Sequence, residues 1–179
     1  RFHLALPASE RSHHYGAVLF LDMDKFKILN DTLGHDYGDL LLIEVAGRIQ
    51  SCVREVDTVA RLGGDEFVVL VEEVSASQED ALQKVAIVAE KIRLALSDPY
   101  QLKEHEYHSS PSIGVCMFQG NRETVDDLLK HADLAMYQAK EAGRNAVRFF
   151  DPAMQQVVEA RAGLEKDLRH AIAGNELFL

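Results

Sequence analysis

Short continuous apolar runs alternate along the chain with longer segments in which apolar residues recur every three or four positions. Continuous runs bounded by turn residues are typical of strands buried on both faces. Two of the runs flank a Gly-Gly-Asp-Glu sequence, and this arrangement predicts a β-hairpin. The predicted strands cover residues 15–21, 57–62, 66–73, 100–108, 113–118 and 147–150.

The segments with helical spacing are marked by start and stop signals. Acidic residues follow Ser77 and Pro99 closes that segment, so a long helix is predicted between them, with Leu82 among its core-facing residues. Thr124 and Asp127 resemble a capping box ahead of another helix. The predicted helices cover residues 2–14, 25–33, 39–53, 78–98, 125–141 and 153–173.

The order of these elements predicts an α/β (α+β) fold in which helices flank a mainly antiparallel central sheet. We assign residues 1–150 to one domain. From Asp151-Pro152 onward the character changes, and residues 151–179 hold an amphipathic helix followed by the first residues of a strand. One interpretation of this tail is a connector to a further domain, and the alternative is a helix that packs on its own domain.

Composition narrows the possible functions. The chain has 179 residues, 47% of them hydrophobic, and a formal net charge of -10, which argues against a non-specific nucleic-acid binder. Cys52 and Cys116 match no metal-binding spacing, so we expect a reduced, cytoplasmic pair. No apolar run approaches the roughly 18 residues of a membrane-spanning helix. We expect no membrane contact by this segment, although a longer parent protein could be anchored through other regions.

Two acidic clusters carry the candidate chemistry. Asp65 and Glu66 directly follow Gly63-Gly64, where glycine permits a tight turn and lets an anion approach the backbone. An acidic, solvated turn is the alternative for this motif alone. Asp22-Met23-Asp24, at the end of another strand, favours a metal site, because carboxylates are the ligands that Mg²⁺ prefers beside phosphate. We predict that Asp22 and Asp65 meet at one edge of the sheet.

These clusters belong to a larger set of motifs, and with them the chain resembles the GGDEF domain, the diguanylate cyclase family. The resemblance extends to about residue 150 and implies a fold of the nucleotidyl-cyclase type, akin to polymerase palm domains. The motifs are Phe20-Leu21-Asp22-Met23-Asp24-Lys25-Phe26-Lys27, Asn30-Asp31, Gly34-His35, Gly38-Asp39, Gly63-Gly64-Asp65-Glu66-Phe67, Ser112-Ile113-Gly114, Tyr137-Gln138-Ala139-Lys140 and Gly143-Arg144-Asn145.

The resemblance implies an enzyme that condenses two GTP molecules into cyclic di-GMP and two pyrophosphates. Each subunit of a homodimer would supply one half-site. Asp65 and Glu66 would be catalytic, and two Mg²⁺ (or Mn²⁺) ions would be bound by Asp22, Asp65, Glu66 and the carbonyl of Met23. For Asp24 a structural ion-pair role and a catalytic role both remain open.

The resemblance also implies a set of substrate-binding residues. Asn30 and Asp39 match the guanine-reading positions, although helix-interior and helix-capping roles are the alternatives. Lys140 and Arg144 match a pair that contacts the β- and γ-phosphates, or they could only offset a helix dipole. The full substrate-binding set is Lys25, Phe26, Asn30, Asp39, Gly63, Gly64, Lys140 and Arg144.

Arg54 and Asp57 match the product-inhibition motif of the family, which would bind cyclic di-GMP. An exposed salt pair of little energetic value is the alternative. The tail resembles the connector to an EAL domain, the cyclic di-GMP phosphodiesterase type, so we expect the chain to come from a GGDEF–EAL tandem protein. A second functional hypothesis follows: a catalytically silent domain that binds GTP or cyclic di-GMP and controls an attached EAL phosphodiesterase.

Overall fold

The computed structural model describes residues 1–154, and these form seven strands and five helices. The elements are α1 (Phe2–Ser12), β1 (Tyr15–Met23), α2 (Phe26–Leu33), α3 (His35–Cys52), β2 (Thr58–Gly63), β3 (Glu66–Ser75), α4 (Gln78–Ser97), β4 (Tyr100–Leu102), β5 (His105–Tyr107), β6 (Pro111–Phe118), α5 (Val125–Glu141) and β7 (Ala146–Phe149). From residue 155 onward, the predicted tail helix and the strand start over 176–179 lie outside the described residues.

Five strands form the central sheet in the order β2-β3-β1-β6-β7. β1 is the middle strand and pairs antiparallel with β3 and β6, whereas β6 and β7 run parallel. The mixed α/β fold with a mainly antiparallel sheet, predicted from the sequence, is confirmed.

Helices cover both faces of the sheet because successive β1 side chains point in opposite directions. Leu19 and Leu21 belong to a core formed with α3 and α4. Val18 and Phe20 belong to a second core formed with α1 and α5. The central strand is therefore buried on both faces, which explains its continuous apolar sequence.

Local signals place the helices. The side chain of Ser77 accepts a hydrogen bond from the backbone nitrogen of Asp80 at the start of α4. Thr124 and Asp127 form the predicted capping box at the start of α5. Both helices thus begin where the sequence indicated.

Three local predictions were wrong. Residues 100–108 form two short strands, β4 and β5, which pair with each other in a separate sheet and not as one strand. Helix α3 begins at His35, not at 39, because Gly34 at φ 94° provides the break between α2 and α3. Leu82 is 43% exposed, since the buried stripe of α4 begins one residue earlier, at Ala81.

Among residues 1–154, no helix combines the length and the apolar character that crossing a bilayer requires.

Candidate active site

The two acidic clusters lie side by side at one end of the sheet. In the strand register, Asp22 of β1 is paired with Glu66 of β3 on one side and with Ser112 of β6 on the other. The turn that precedes Glu66 holds Gly64 at φ 51°, a conformation that favours glycine. Arg61 donates a hydrogen bond from Nε to the carbonyl oxygen of Gly64 over 2.8 Å, which fixes the hairpin turn next to Asp22.

Electrostatics also links these carboxylates. Partial burial raises the pKa of Asp65, and the negative charge of Asp22 raises that pKa further. Lys140, near the end of α5, places its Nζ 2.7 Å from Oδ2 of Asp22, whose side chain is only 13% exposed. One lysine thus faces several carboxylates, and the excess of negative charge at this edge suits divalent cations.

The carboxylate oxygens at this edge do not converge closely on one position. Within the described residues, one trio of ligand atoms has converged to within 4.8 Å of one another, and it lies elsewhere. The donors at this edge are hard oxygens, namely the carboxylates of Asp22, Asp65 and Glu66, which fit Mg²⁺ or Mn²⁺ in kind. Met23 is 2% exposed at the end of the same strand, so only its backbone could take part.

Asp24 has a structural role. It is 4% exposed, and it accepts hydrogen bonds from Oγ of Ser110 (2.7 Å), from Oγ of Ser112 (2.8 Å) and from the backbone nitrogen of Asn145 (3.1 Å). Nε of Arg144 lies 4.0 Å from Oδ1, the oxygen that accepts from Ser112. These contacts occupy both carboxylate oxygens and tie β1 and β6 to the loop that follows α5.

The loop after α5 and the start of α2 form a basic margin beside this carboxylate. Lys25, Arg144 and Asn145 have φ values of 65°, 66° and 46°, the left-handed region that non-glycine residues seldom occupy. Lys25 and Arg144 line a cavity of about 470 Å³, together with Ser109 and Ser110. The α2 N-terminus opens next to Lys25, where backbone N–H groups favour an anion.

The opposite margin of the site combines polar side chains with apolar ones. Oδ1 of Asn30 is buried without a hydrogen-bond partner, and it packs against the Cα of Gly38, where an added Cβ would overlap it. Phe26 contacts the same glycine position. Asp39, the next residue, lines an apolar cavity of about 460 Å³ between α3 and β2 that also includes Leu42. The Asn30 amide, the Asp39 carboxylate and the apolar cavity are groups that suit a purine base.

Arg54 and Asp57 lie away from this edge, before β2. Asp57 is 1% exposed at its side chain and accepts hydrogen bonds from Nη2 and the backbone nitrogen of Arg54, both at 2.9 Å. It also accepts one from the backbone nitrogen of Glu72 at 3.3 Å. The Arg54 side chain is 53% exposed and donates a further bond to the Glu72 carbonyl. Asp57 is thus internally satisfied, whereas Arg54 presents its guanidinium to solvent.

Sequence reasoning missed the residues that hold the loop after α5. Arg93 of α4 donates from Nη1 to Oδ1 of Asn145 over 2.6 Å, and Ser97 donates to the same oxygen over 3.1 Å. Glu90 fixes Arg93 through two hydrogen bonds of 2.6 and 2.9 Å. No sequence signal could have joined Arg93 and Ser97 to Asn145, because they lie 52 and 48 residues away from it.

Comparisons with known proteins show the family to which the chain belongs. The family model described as "Diguanylate cyclase, GGDEF domain" matches residues 2–146. The protein named bifunctional diguanylate cyclase/cyclic di-GMP phosphodiesterase MucR, from Pseudomonas aeruginosa, is 45% identical over 179 residues, which are all of this chain and 25% of that protein. Cyclic di-GMP phosphodiesterase NbdA, from the same organism, is 37% identical over 91% of this chain and 20% of its own length.

Among solved structures, the GGDEF domain of TpbB (YfiN) from Pseudomonas aeruginosa superposes with a TM-score of 0.80 at 38% identity, covering 89% of this chain and 90% of that one. The chain therefore spans a quarter or less of the two curated relatives named above, but nearly all of this isolated domain.

Proposed function

Because this chain belongs to the GGDEF family, we propose that it is a diguanylate cyclase that condenses two GTP molecules into cyclic di-GMP and two pyrophosphates. The observation that carries the proposal is the juxtaposition of Asp22 with the Gly63-Gly64-Asp65-Glu66 turn, with Lys140 in contact with Asp22. GGDEF diguanylate cyclases generally use Mg²⁺ or Mn²⁺, and two such ions per site are proposed here.

In the reaction, the 3′-hydroxyl oxygen of one GTP attacks the α-phosphorus of the other. A new phosphorus–oxygen bond forms, the bond to pyrophosphate breaks, and the step occurs twice. Divalent cations at this edge would supply charge stabilisation for the reaction. Asp22, Asp65 and the Met23 carbonyl would hold them, and Glu66 would be a further ligand or the group that takes up the hydroxyl proton.

The remaining residues of the site would bind and orient the nucleotide. The side-chain amide of Asn30 and the carboxylate of Asp39 would read the guanine edge, beside Phe26. Lys25, Gly63, Gly64 and Arg144 would contact the triphosphate. Arginine can bind a phosphate with two parallel hydrogen bonds, whereas lysine acts as a point charge. Arg144 would therefore orient the triphosphate, and Lys140 would neutralise negative charge.

One such domain holds one GTP, so turnover requires two copies that face each other. We therefore propose a homodimer with one half-site per subunit, working in the cytoplasm where GTP is available. Whatever aligns the two half-sites would then set the rate.

The decisive experiment is incubation of the purified chain with GTP and Mg²⁺, followed by chromatography for cyclic di-GMP. Asp65→Asn should lower the rate by more than the roughly 10–100-fold seen when an outer-shell metal partner is lost. Glu79→Gln is the matched control, because Glu79 is an exposed carboxylate in the first turn of α4, at the other end of the sheet. No product from a preparation shown to be dimeric would refute the cyclase proposal.

A second candidate function is a silent domain that binds GTP or cyclic di-GMP and controls an attached EAL phosphodiesterase. The relative NbdA, which is named as a phosphodiesterase yet matches 91% of this chain, favours it. Calorimetry would then show GTP binding without turnover, and GTP would change phosphodiesterase activity in a longer protein. A chain that makes cyclic di-GMP, or that binds neither GTP nor cyclic di-GMP, would exclude this alternative.

Feedback by the product would act through Arg54, whose guanidinium is exposed while Asp57 holds it in place. Arg54→Lys keeps the charge but removes the planar fork, so progress curves should slow less as cyclic di-GMP accumulates. An unchanged inhibition constant would assign Arg54 and Asp57 to structure alone.

A further inference from the structure

A separate cluster of ligand-type side chains lies toward the end of the sheet opposite to Asp22. Within residues 1–154, Cys116, Glu123 and His131 form the one trio whose ligand atoms all lie within 4.8 Å of one another. Cys116 is paired with Val18 in the β1–β6 register, whereas Asp22 is paired with Ser112. At about 3.3 Å per residue, the cluster is roughly 13 Å along the sheet from the carboxylate edge.

The histidine of this cluster is aimed inward. Nδ1 of His131 is buried and makes no hydrogen bond, although it lies 3.1 Å from Oε1 of Glu123. The imidazole ring is stacked on Phe150 with a centroid distance of 4.1 Å and an angle of 8° between the planes. Packing therefore holds the ring with a nitrogen within 4.8 Å of both the carboxylate oxygen of Glu123 and the sulfur of Cys116.

The thiol of this cluster is kept neutral by its surroundings. Cys116 is 3% exposed, and its Sγ makes one weak contact, 3.7 Å to the carbonyl oxygen of Met117. Burial raises the pKa of Cys116 to about 12, and the charge of Glu123 contributes to that rise. A bound cation would reverse both effects, because it stabilises a thiolate and neutralises the neighbouring carboxylate.

We propose that Cys116, Glu123 and His131 form a binding site for Zn²⁺ or a similar divalent transition metal, with a solvent molecule as the fourth ligand. One sulfur, one imidazole nitrogen and one carboxylate oxygen are a donor set that suits zinc. Binding forms three bonds to the protein and one to the solvent molecule, and it releases the thiol proton of Cys116 to solvent.

The geometry requires only a small closure. Bond lengths of about 2.0–2.3 Å place the ligand atoms of a tetrahedral zinc site roughly 3.3–3.7 Å apart. Glu123 is the ligand free to close the gap, because its side chain is 39% exposed and lines a cavity of about 280 Å³.

A metal at this position would join three elements of the fold. It would connect the end of β6 and the start of α5 through the loop between them. The same loop is already tied to α1, since the backbone nitrogen of Gly120 donates to Oγ of Ser9 over 2.9 Å. Bound Zn²⁺ should therefore raise the thermal midpoint of the chain, because the folded state alone holds the three ligands together.

Titration of the metal-free 179-residue chain with Co²⁺ tests the proposal. We expect the absorption pattern of tetrahedral Co²⁺ together with an intense near-ultraviolet thiolate-to-cobalt band, both reversed by Zn²⁺. Addition of Mg²⁺ should change neither the tetrahedral Co²⁺ absorption nor the thiolate-to-cobalt band. Cobalt bound at the carboxylate edge of Asp22 and Asp65 gives no thiolate band, so the two sites are distinguished by the spectrum. The result is also independent of cyclase activity.

Matched variants identify the ligands. Cys116→Ser should abolish the thiolate band, whereas Cys52→Ser should keep it, because Cys52 is the other free buried cysteine and lies on α3 outside the trio. His131→Gln should weaken Co²⁺ binding at least tenfold, with folding of each variant checked by circular dichroism. Absence of a thiolate band, its persistence in a folded Cys116→Ser or its equal loss in Cys52→Ser would overturn the proposal.

Discussion

Helix α5 lies so close to β6 that only a glycine fits at position 114, and Gly114→Ala tests how rigidly that contact is set. A Cβ at this position would fall within 3.0 Å of three backbone atoms of α5: the carbonyl oxygen of Ala132, the backbone nitrogen of Met136 and the carbonyl carbon of Ala135. All three belong to a helical backbone, so no side-chain rotation can relieve the overlap.

The magnitude follows from the distance that α5 must move. Ordinary contacts begin near 3.4 Å, so the helix must retreat by more than about 1 Å from β6. Gaps of roughly 0.5–1 Å already lose a quarter to a half of each dispersion contact. The face of α5 that would lose them includes Leu128 and Met136, both buried. Overpacking usually costs about 1–3 kcal/mol, and backbone overlap places this variant near or above 3 kcal/mol.

Urea and thermal unfolding measure the effect. A loss of about 3 kcal/mol lowers the thermal midpoint by roughly 6–12 °C in a chain of this size. The matched control is Gly47→Ala, because Gly47 lies exposed inside α3 with nothing within 4 Å of an added Cβ. That substitution should stabilise the chain by about 0.5–1 kcal/mol through helix propensity.

The same displacement should reach the active site, because α5 carries Lys140 to within 2.7 Å of Asp22. We expect Gly114→Ala to lose cyclase activity under conditions where it is still folded. The reasoning would be refuted if the free energy of unfolding of Gly114→Ala lay within 1 kcal/mol of that of the parent chain. It would also be refuted if Gly47→Ala lowered the free energy of unfolding.

Three further predictions concern charged side chains at the site. Asp24→Ala should destabilise the chain by about 3 kcal/mol or more in urea, because three donors lose their buried acceptor; a loss below 1 kcal/mol would contradict this. Burial and Asp22 raise the pKa of Asp65, so the folded chain keeps that proton to higher pH than the unfolded chain does. Metal-free stability should therefore fall as the pH rises from the ordinary aspartate pKa through the raised one. In thermal melts with chelator, the fall of stability with pH should be smaller for Asp65→Asn than for the parent chain. An equal fall in both would contradict the raised pKa of Asp65 as its cause. Arg93→Ala frees the side chain of Asn145, so steady-state kinetics should show a higher KM for GTP with a smaller change in kcat; an unaltered KM would leave Arg93 without a positioning role.

The amino-acid pattern predicted much of the fold. The apolar run of β1, the hairpin around Gly63-Gly64 and the capping box at Thr124 are local signals, and each produced the expected element. The short strands β4 and β5 were less predictable, because a three-residue strand has too few positions to show a period.

The sequence likewise predicted only part of the site. The motifs gave the identity of the acidic residues, since Asp22 and Asp65 stand beside recognisable strand and turn sequences. They left Asp24 undecided between catalysis and structure, because its partners at Ser110, Ser112 and Asn145 lie 86 to 121 residues away.

The sequence by itself therefore determined which segments become strands and helices and which residue types the carboxylate turn offers, because both depend on neighbours within a few positions. Only the tertiary structure decided that Lys140 contacts Asp22, that Arg93 holds Asn145, and that Cys116 converges with Glu123 and His131. Such contacts depend on strand register and on how closely a helix packs on the sheet, and both are set by the burial of the whole core rather than by any one stretch of chain.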